Sequence, residues 1–304
     1  MNWLLLSTVY LTDPEHGYVL VSLVEKKGSS YMQPGARMLV REDGEYWGSV
    51  SAGCLEDQVS GVARSCLRNQ QNRKVTIDTR PYYGCFGEIT LLFEVILDRT
   101  VGEPLFREIA EHMSARKTIS IHTPDDDSGC GLFTRKGDEG EGLVELIRPV
   151  SRLIILGDWG DGMALSKQAG LLSWNVVLHD ASEPDFDPEA IVASVEPDPW
   201  TAVMIMTHNL ARDCMCLRAV LLRKYAYVGV IGSHKRREVL VEELANLEDP
   251  DLLEHLDGFR CPAGLNIGGD GPEAIALSVL AGIQAAFNDR DGIPLDELKH
   301  PIHQ

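Results

Sequence analysis

The sequence predicts an α/β protein in two parts, a mixed α+β domain at the N-terminal end and a doubly wound parallel sheet at the C-terminal end. Three observations predict it. Beyond Ser151, continuous apolar runs such as Leu153-Ile154-Ile155-Leu156 alternate with helical segments, the pattern of parallel strands buried on both faces. Before Asp98, short strands alternate with Gly-rich turns. The 304 residues suit about two domains and leave ample material for a core. These changes of character place the expected boundaries at 1–99, 100–149 and 150–304.

In the first stretch, Tyr18 to Val24 reads as a strand stopped by the turn Lys27-Gly28-Ser29-Ser30. Gln33-Pro34-Gly35 is a second turn. Arg37-Met38-Leu39-Val40 is a strand closed by Glu42-Asp43-Gly44. From Leu55 to Arg68 the apolar positions Leu55, Val59, Val62, Ala63, Cys66 and Leu67 follow helical spacing. Val75 to Ile77 and Ile89 to Ile96 read as further strands.

The connecting stretch carries a helix over Leu105 to Met113, a strand over Thr118 to Ile121 and an acidic turn at Asp125 to Gly129. It loosely repeats the opening stretch, an echo that unrelated hairpins produce as readily as a duplication does. Beyond Ser151 the strands are Arg152 to Leu156, Asn175 to Leu178, Ala202 to Met206 and Tyr227 to Ile231. Helices are expected over Ala164 to Leu172 and Asp213 to Arg223. Ala274 to Phe287 is apolar but too short to span a bilayer and reads as a buried helix.

Composition excludes several partners. The net charge of −18 makes general affinity for nucleic acid or for an anionic membrane surface unfavourable. The opening Met1 to Leu6 lacks a basic leader, so a cytoplasmic location is the expectation. Seven cysteines, an odd count in a long chain, do not suit a disulfide framework. Cys214-Met215-Cys216 has the wrong spacing for zinc. Cys66, Cys130, Cys214, Cys216 and Cys261 are expected to be packing residues, since free Cys behaves as a small hydrophobe.

Cys54 and Cys85 differ, because each stands in a Gly-Cys turn. Cys54 follows Ser51-Ala52-Gly53 and precedes the first expected helix. A thiol there is favoured as thiolate by the helix dipole and its free N–H groups, and a thiolate ligates soft metals or accepts sulfur. Gly53 lets a bulky ligand approach the backbone. Glu56 either complements the dipole or accepts the thiol proton. Arg37 suits either the anionic phosphate of a ligand or a surface salt bridge.

In the second half the first strand leads into Gly157-Asp158-Trp159-Gly160-Asp161-Gly162. A dinucleotide fingerprint needs Gly at the first, third and sixth of these positions. Gly157 and Gly162 are in place. Trp159 obstructs the second, and Gly160 restores room only if the turn shifts by one residue. Asp180 ends the next strand about 20 residues on, where a ribose-binding acid is expected. A Rossmann-like sheet is therefore the expectation, with NAD(P), another nucleotide, a pterin or no ligand in its crevice. Two more loops follow strands. One carries Thr207, His208 and Asn209, with His208 suited to acid/base work or to a phosphate hydrogen bond. The other, Gly232-Ser233-His234-Lys235-Arg236-Arg237, opens a helix and offers N–H donors to an anion, or is a solvated basic face.

Several of these segments resemble the XdhC/CoxI family. They are Pro34-Gly35-Ala36-Arg37-Met38, Gly48 to Glu56, and Gly84-Cys85-Phe86-Gly87, similar to that family's PGA[KR]M, G[ST][VI]SGGCLE and GCGG patterns. In the second half Met206-Thr207-His208-Asn209, Tyr227 to Ser233, and Cys261 to Gly268 with Pro272-Glu273-Ala274 are similar too. Ala52 and Phe86 depart from family glycines. The resemblance implies a maturation factor that binds the molybdenum cofactor transiently and delivers it, with support of its sulfuration, to a xanthine-dehydrogenase-type apo-enzyme. A cysteine desulfurase is an implied second partner, and a homodimer is the common assembly for such chains. Cys54 and Cys85 would contact the molybdenum or its sulfur, and the Rossmann crevice would hold the rest of the cofactor. The protein would be an insertion chaperone rather than a turnover enzyme. An NAD(P)-dependent oxidoreductase and a ligand-free interaction protein are the competing readings.

Overall fold

A computed structural model describes residues 3–13, 15–28, 32–80 and 87–298, with only the backbone of Trp159. The chain divides into two compact units, Met1–Pro149 and Val150–Gln304. No described helix is long and apolar enough to cross a membrane.

The first unit is built on a five-stranded antiparallel sheet. Its strands are β1 (Tyr18–Gly28), β2 (Arg37–Arg41), β3 (Tyr46–Gly48), β4 (Arg73–Asp78) and β5 (Gly87–Ile96), in the order β3-β2-β1-β5-β4. Helix α2 (Glu56–Asn69) lies on one face. Its inward positions Val59, Ala63 and Cys66 fall at helical spacing and pack with Val19, Val21 and Phe93. Two further helices, α1 (Trp3–Thr12) and α3 (Arg99–Ser114), pack together through aromatic rings. Tyr10 stacks on Phe106 with centroids 4.4 Å apart and meets Tyr18 edge-on at 5.4 Å. Gly102 makes that approach possible, because a Cβ there would stand 2.3 Å from the Tyr10 hydroxyl. A small antiparallel sheet of β6 (Ile119–Pro124), β7 (Arg135–Lys136) and β8 (Gly142–Ile147) completes the unit, with β6 central.

The second unit carries four parallel strands, β9 (Arg152–Gly157), β10 (Asn175–Asp180), β11 (Thr201–Met206) and β12 (Tyr227–Val230), in the order β10-β9-β11-β12. Alternate residues of each strand serve opposite faces. Ile154, Val203 and Val228 face helices α5 (Pro188–Ala193), α6 (Leu210–Leu221), α7 (His234–Ala245) and α8 (Pro250–Leu253). Leu153, Ala202 and Met204 face α4 (Trp159–Leu171) and α9 (Pro272–Phe287). The fold is thus the expected α/β one, with a doubly wound parallel sheet in the second half. The order reverses at β9: the chain steps from β9 out to β10, then crosses back to β11. The crevice at the C-terminal ends of β9 and β11 is where ligands bind in open α/β sheets.

Candidate functional site

The loop from β3 into α2 is organised around one carboxylate. Glu56 is 3% exposed, and its Oε1 accepts the Ser49 hydroxyl at 2.5 Å and the amides of Val50 and Ser51 at 3.2 and 3.0 Å. Its Oε2 accepts the Ser51 hydroxyl at 2.6 Å and the Leu55 amide at 3.1 Å. Burial opposes ionisation, but the bonds from Ser49 and Ser51 outweigh it and hold the carboxyl at about 2. Held this way, the chain passes through two left-handed residues, Ala52 at φ +63° and Gly53 at φ +105°. An alanine in that region carries about 1 kcal/mol of backbone strain. Gly53 has open space where a Cβ would sit, so its need is conformational and its surroundings are free for a ligand.

Cys54 leaves this turn exposed, one residue before Leu55, the N-cap of α2. The loop therefore displays the thiol at a helix start, as the sequence leads one to expect. Glu56 is placed differently from a proton acceptor. Its oxygens are engaged by the loop, and a carboxyl held at about 2 is a weak base for a thiol. Its role is to fix the turn that presents Cys54. Cys85 lies outside the described residues, as do Gly84 and Phe86, so the expected pairing of Cys54 with Cys85 does too. Among the described residues no group of three or more His, Cys, Asp or Glu side chains could hold a metal ion.

Arg37 corrects an expectation. It does form a salt bridge, but a buried one and not one at the surface. Its guanidinium pairs with Glu145 of β8, donates to Thr123 Oγ1 at 2.5 Å and to the Gly35 carbonyl at 2.8 Å, and lies over the Trp3 ring at 4.7 Å. Burial raises the Glu145 carboxyl, and Arg37 draws it back. Nearby Glu94, fully buried, is raised by burial despite accepting bonds from Thr134 and Phe133. This polar network joins β6 and β8 to the main sheet. Cys130 also departs from expectation, being exposed in the loop 128–131; Cys66, Cys216 and Cys261 are buried as expected, and Cys214 is half-buried.

In the second unit the fingerprint turn takes its expected place. Gly157 ends β9 tightly against β11, where a Cβ would stand 2.7 Å from Met206. Gly162 lies under Leu178, which a Cβ would meet at 2.9 Å, so it serves close helix–strand packing as the last glycine of the fingerprint should. Gly160, in the first turn of α4, faces open space. Asp180 stands directly beside Gly157 in the β9–β10 register. Ser182 donates its hydroxyl at 2.6 Å and its amide at 2.8 Å to Asp180, which lowers that carboxyl.

Across the crevice, His208 adopts φ +53° and its Nε2 lies 3.1 Å from Asp161 in the first turn of α4. Buried Thr207 donates to Asp213 at 2.6 Å, and Asp213 is held by Arg236 of the basic cluster, whose Nε donates at 2.9 Å. Arg237 pairs with Asp257 at 3.0 Å and lies over Phe259. Ser233 caps α7 by accepting the Arg236 amide at 3.3 Å, and Arg236 covers Gly232. The two arginines of the cluster therefore lock α7 to its neighbours. Asp158, Asp161 and Asp180 make the mouth of the crevice acidic, a poor setting for the pyrophosphate of a dinucleotide.

One feature is foreseen only in part, through Gly232 and His234 of the basic loop. Beside the C-terminal end of β12 lies a cavity of about 700 Å³, lined by the start of α7, the loop 262–269 and the first turns of α9. The available signal is glycine density: Gly264, Gly268, Gly269 and Gly271 all adopt positive φ.

Comparison with known proteins follows the two units. Residues 153–283 match the family model described as the XdhC Rossmann domain, and residues 11–78 match the XdhC and CoxI family. A molybdenum cofactor insertion chaperone of Escherichia coli, PaoD, is 29% identical over 87% of this chain and 82% of its own length. A probable xanthine dehydrogenase subunit of Bacillus subtilis is 24% identical over 90% of this chain and 94% of its own. The crystal structure of a xanthine dehydrogenase from Bacillus halodurans superposes with a TM-score of 0.78 at 25% identity, covering 96% of this chain and 97% of that one.

Proposed function

The chain belongs to the XdhC and CoxI family, and we propose that it is an accessory factor that binds the molybdenum cofactor and inserts it into a xanthine-dehydrogenase-type enzyme. One observation carries the reading: Cys54 stands exposed on a turn that Glu56 holds rigid, free to meet a ligand from outside. A soft thiol at a helix start suits contact with molybdenum or with its terminal sulfur. The cargo is a phosphorylated pterin with a metal. A thiol suits its metal end. Insertion rather than turnover accords with the engagement of Glu56 and Thr207 in fixed hydrogen bonds, which leaves them little part in proton transfer. In this scheme a sulfur donor of the cysteine desulfurase class loads the sulfur while the cofactor is held at Cys54, and a homodimer is the working form.

Co-expression with the molybdopterin synthesis pathway tests this. The purified protein is expected to carry a pterin, read by its fluorescence after oxidation. Cys54→Ser should lower the molybdenum retained per chain and leave the circular dichroism unchanged. A preparation that takes up no pterin overturns the proposal.

A further inference from the structure

We propose that the cavity beside β12 binds the phosphate-bearing end of a phosphorylated heterocycle, and that the fingerprint turn after β9 does not. This assignment deepens the proposed function and rests on it for the identity of the cargo.

Charge decides where an anion can go. The crevice between β9 and β11 presents Asp158, Asp161 and Asp180, and the nearby imidazole of His208 already faces Asp161 at 3.1 Å. A phosphate placed there meets carboxylates at close range. No acidic residue lines the described part of the cavity by β12; Asp270 and Glu273 adjoin it but are exposed, whereas Asp158, Asp161 and Asp180 are half-buried. Its polar side chains are His234 and Asn266, set among backbone of a glycine-rich loop, while the Ser278 hydroxyl already donates to the Leu265 carbonyl at 2.6 Å.

Size and lining fit the ligand class. A cavity of about 700 Å³ falls within the usual range for small-molecule sites. Ile231, Pro262, Leu265 and Ile275 supply an apolar wall for a flat ring. Helix α9 opens on the cavity through Ala274. Its N-cap is Gly271, which offers no side chain to the first turn, and since Pro272 has no N–H the free donors there are the amides of Glu273 and Ala274; the Glu273 side chain is exposed, and α7 is capped by Ser233. Uncapped amides at the edge of an apolar cavity favour a bound anion over water. The mouth is not walled by long side chains: Gly268 has open space around its Cβ position. An apolar slot that ends in amide donors and a histidine matches a ring carrying a phosphate.

The test uses the full chain, amide NMR, and AMP and CMP as probes, each compared with its nucleoside and with inorganic phosphate. The monophosphates should shift the amides of Gly268, Gly269 and Ala274 saturably, and the nucleosides should bind about tenfold more weakly or worse. Asn266 is exposed at the mouth, so Asn266→Asp adds one charge without disturbing the core. It should weaken the monophosphates by about tenfold and leave the nucleosides unchanged. Shifts that gather instead on Gly157, Gly162 and His208, or no saturable shift at millimolar probe, overturn the assignment. The two proposals separate cleanly. If the protein takes up pterin and Asn266→Asp leaves that uptake unchanged, the cavity is wrong and the function stands. If the monophosphates bind the cavity while no pterin is taken up, the function is wrong and the site stands.

Discussion

Ser51 and Glu56 grip each other twice, hydroxyl to Oε2 at 2.6 Å and amide to Oε1 at 3.0 Å, and the turn that ends in Cys54 runs between them. The carboxyl is held at about 2 against an ordinary value of 4.5. A depressed folded pKa contributes stability that is complete above the unfolded value and is lost as pH falls through the folded one. Glu56 should therefore contribute of the order of 2–3 kcal/mol at neutral pH, fading between about pH 4.5 and 2. Glu56→Gln should lose that amount in urea unfolding and show a flatter acid limb than the parent. An unchanged acid limb would mean that Glu56 does not organise the loop.

Exposure sorts the described cysteines. Cys54 and Cys130 are exposed, while burial raises the thiols of Cys66, Cys261 and Cys216, the last to about 12. Native alkylation followed by peptide mass spectrometry should label Cys54 and Cys130 first. Cys66, Cys216 and Cys261 should react only after denaturant is added. Early labelling of Cys216 would contradict the packing of α6 against the sheet.

The parts of the fold that can be read from sequence are those whose signal is local. The strand–helix alternation after Ser151 is legible because buried parallel strands are apolar throughout, and Gly157 and Gly162 mark the turn by their spacing. Helix α1 is not legible. Its buried positions Trp3, Leu6, Ser7 and Tyr10 are correctly spaced, but Leu4 and Leu5 put apolar residues on the outer face and erase the contrast. Arg37 is misread because its partner Glu145 lies 108 positions away, and a lone arginine after a turn gives no hint of burial. Cys54 is legible through its Gly-flanked turn; Cys130, between Gly129 and Gly131, carries the same signal and is overlooked.

Arg37→Met should be severe. It strands the Glu145 carboxyl among buried groups, with Glu94 nearby already raised by its own burial. Breaking a buried pair by removing one partner costs about 3–5 kcal/mol. Acids with raised folded pKa hold protons more firmly in the folded state, so the deficit should grow as pH rises above the ordinary carboxylate value of 4.5 towards neutrality. Urea unfolding across that range checks the slope. The double variant Arg37→Met with Glu145→Leu should recover most of the loss, because Glu145 is no longer left unpaired and Glu94 keeps its bonds from Phe133 and Thr134. A double variant as unstable as the single one would show that Arg37 acts through Thr123 and Trp3 instead.

The glycines of the fingerprint turn should separate by role. Gly162 sits against Leu178, and an added Cβ would come within 2.9 Å of it, so Gly162→Ala must push α4 off β10 or displace Leu178. Overpacking costs about 1–3 kcal/mol, and the low end applies here because the atom met is a terminal methyl of Leu178 that can move. Gly160 belongs to the same helix but has nothing within 4 Å of its Cβ position. Gly160→Ala should therefore be neutral or stabilising by up to about 1 kcal/mol, the helical preference for Ala over Gly. Thermal unfolding of the two variants side by side gives the contrast directly. If Gly160 instead admits a ligand to the backbone, Gly160→Ala will keep its stability and lose binding; if the cavity beside β12 holds the anion, that variant will bind AMP and CMP as the parent does.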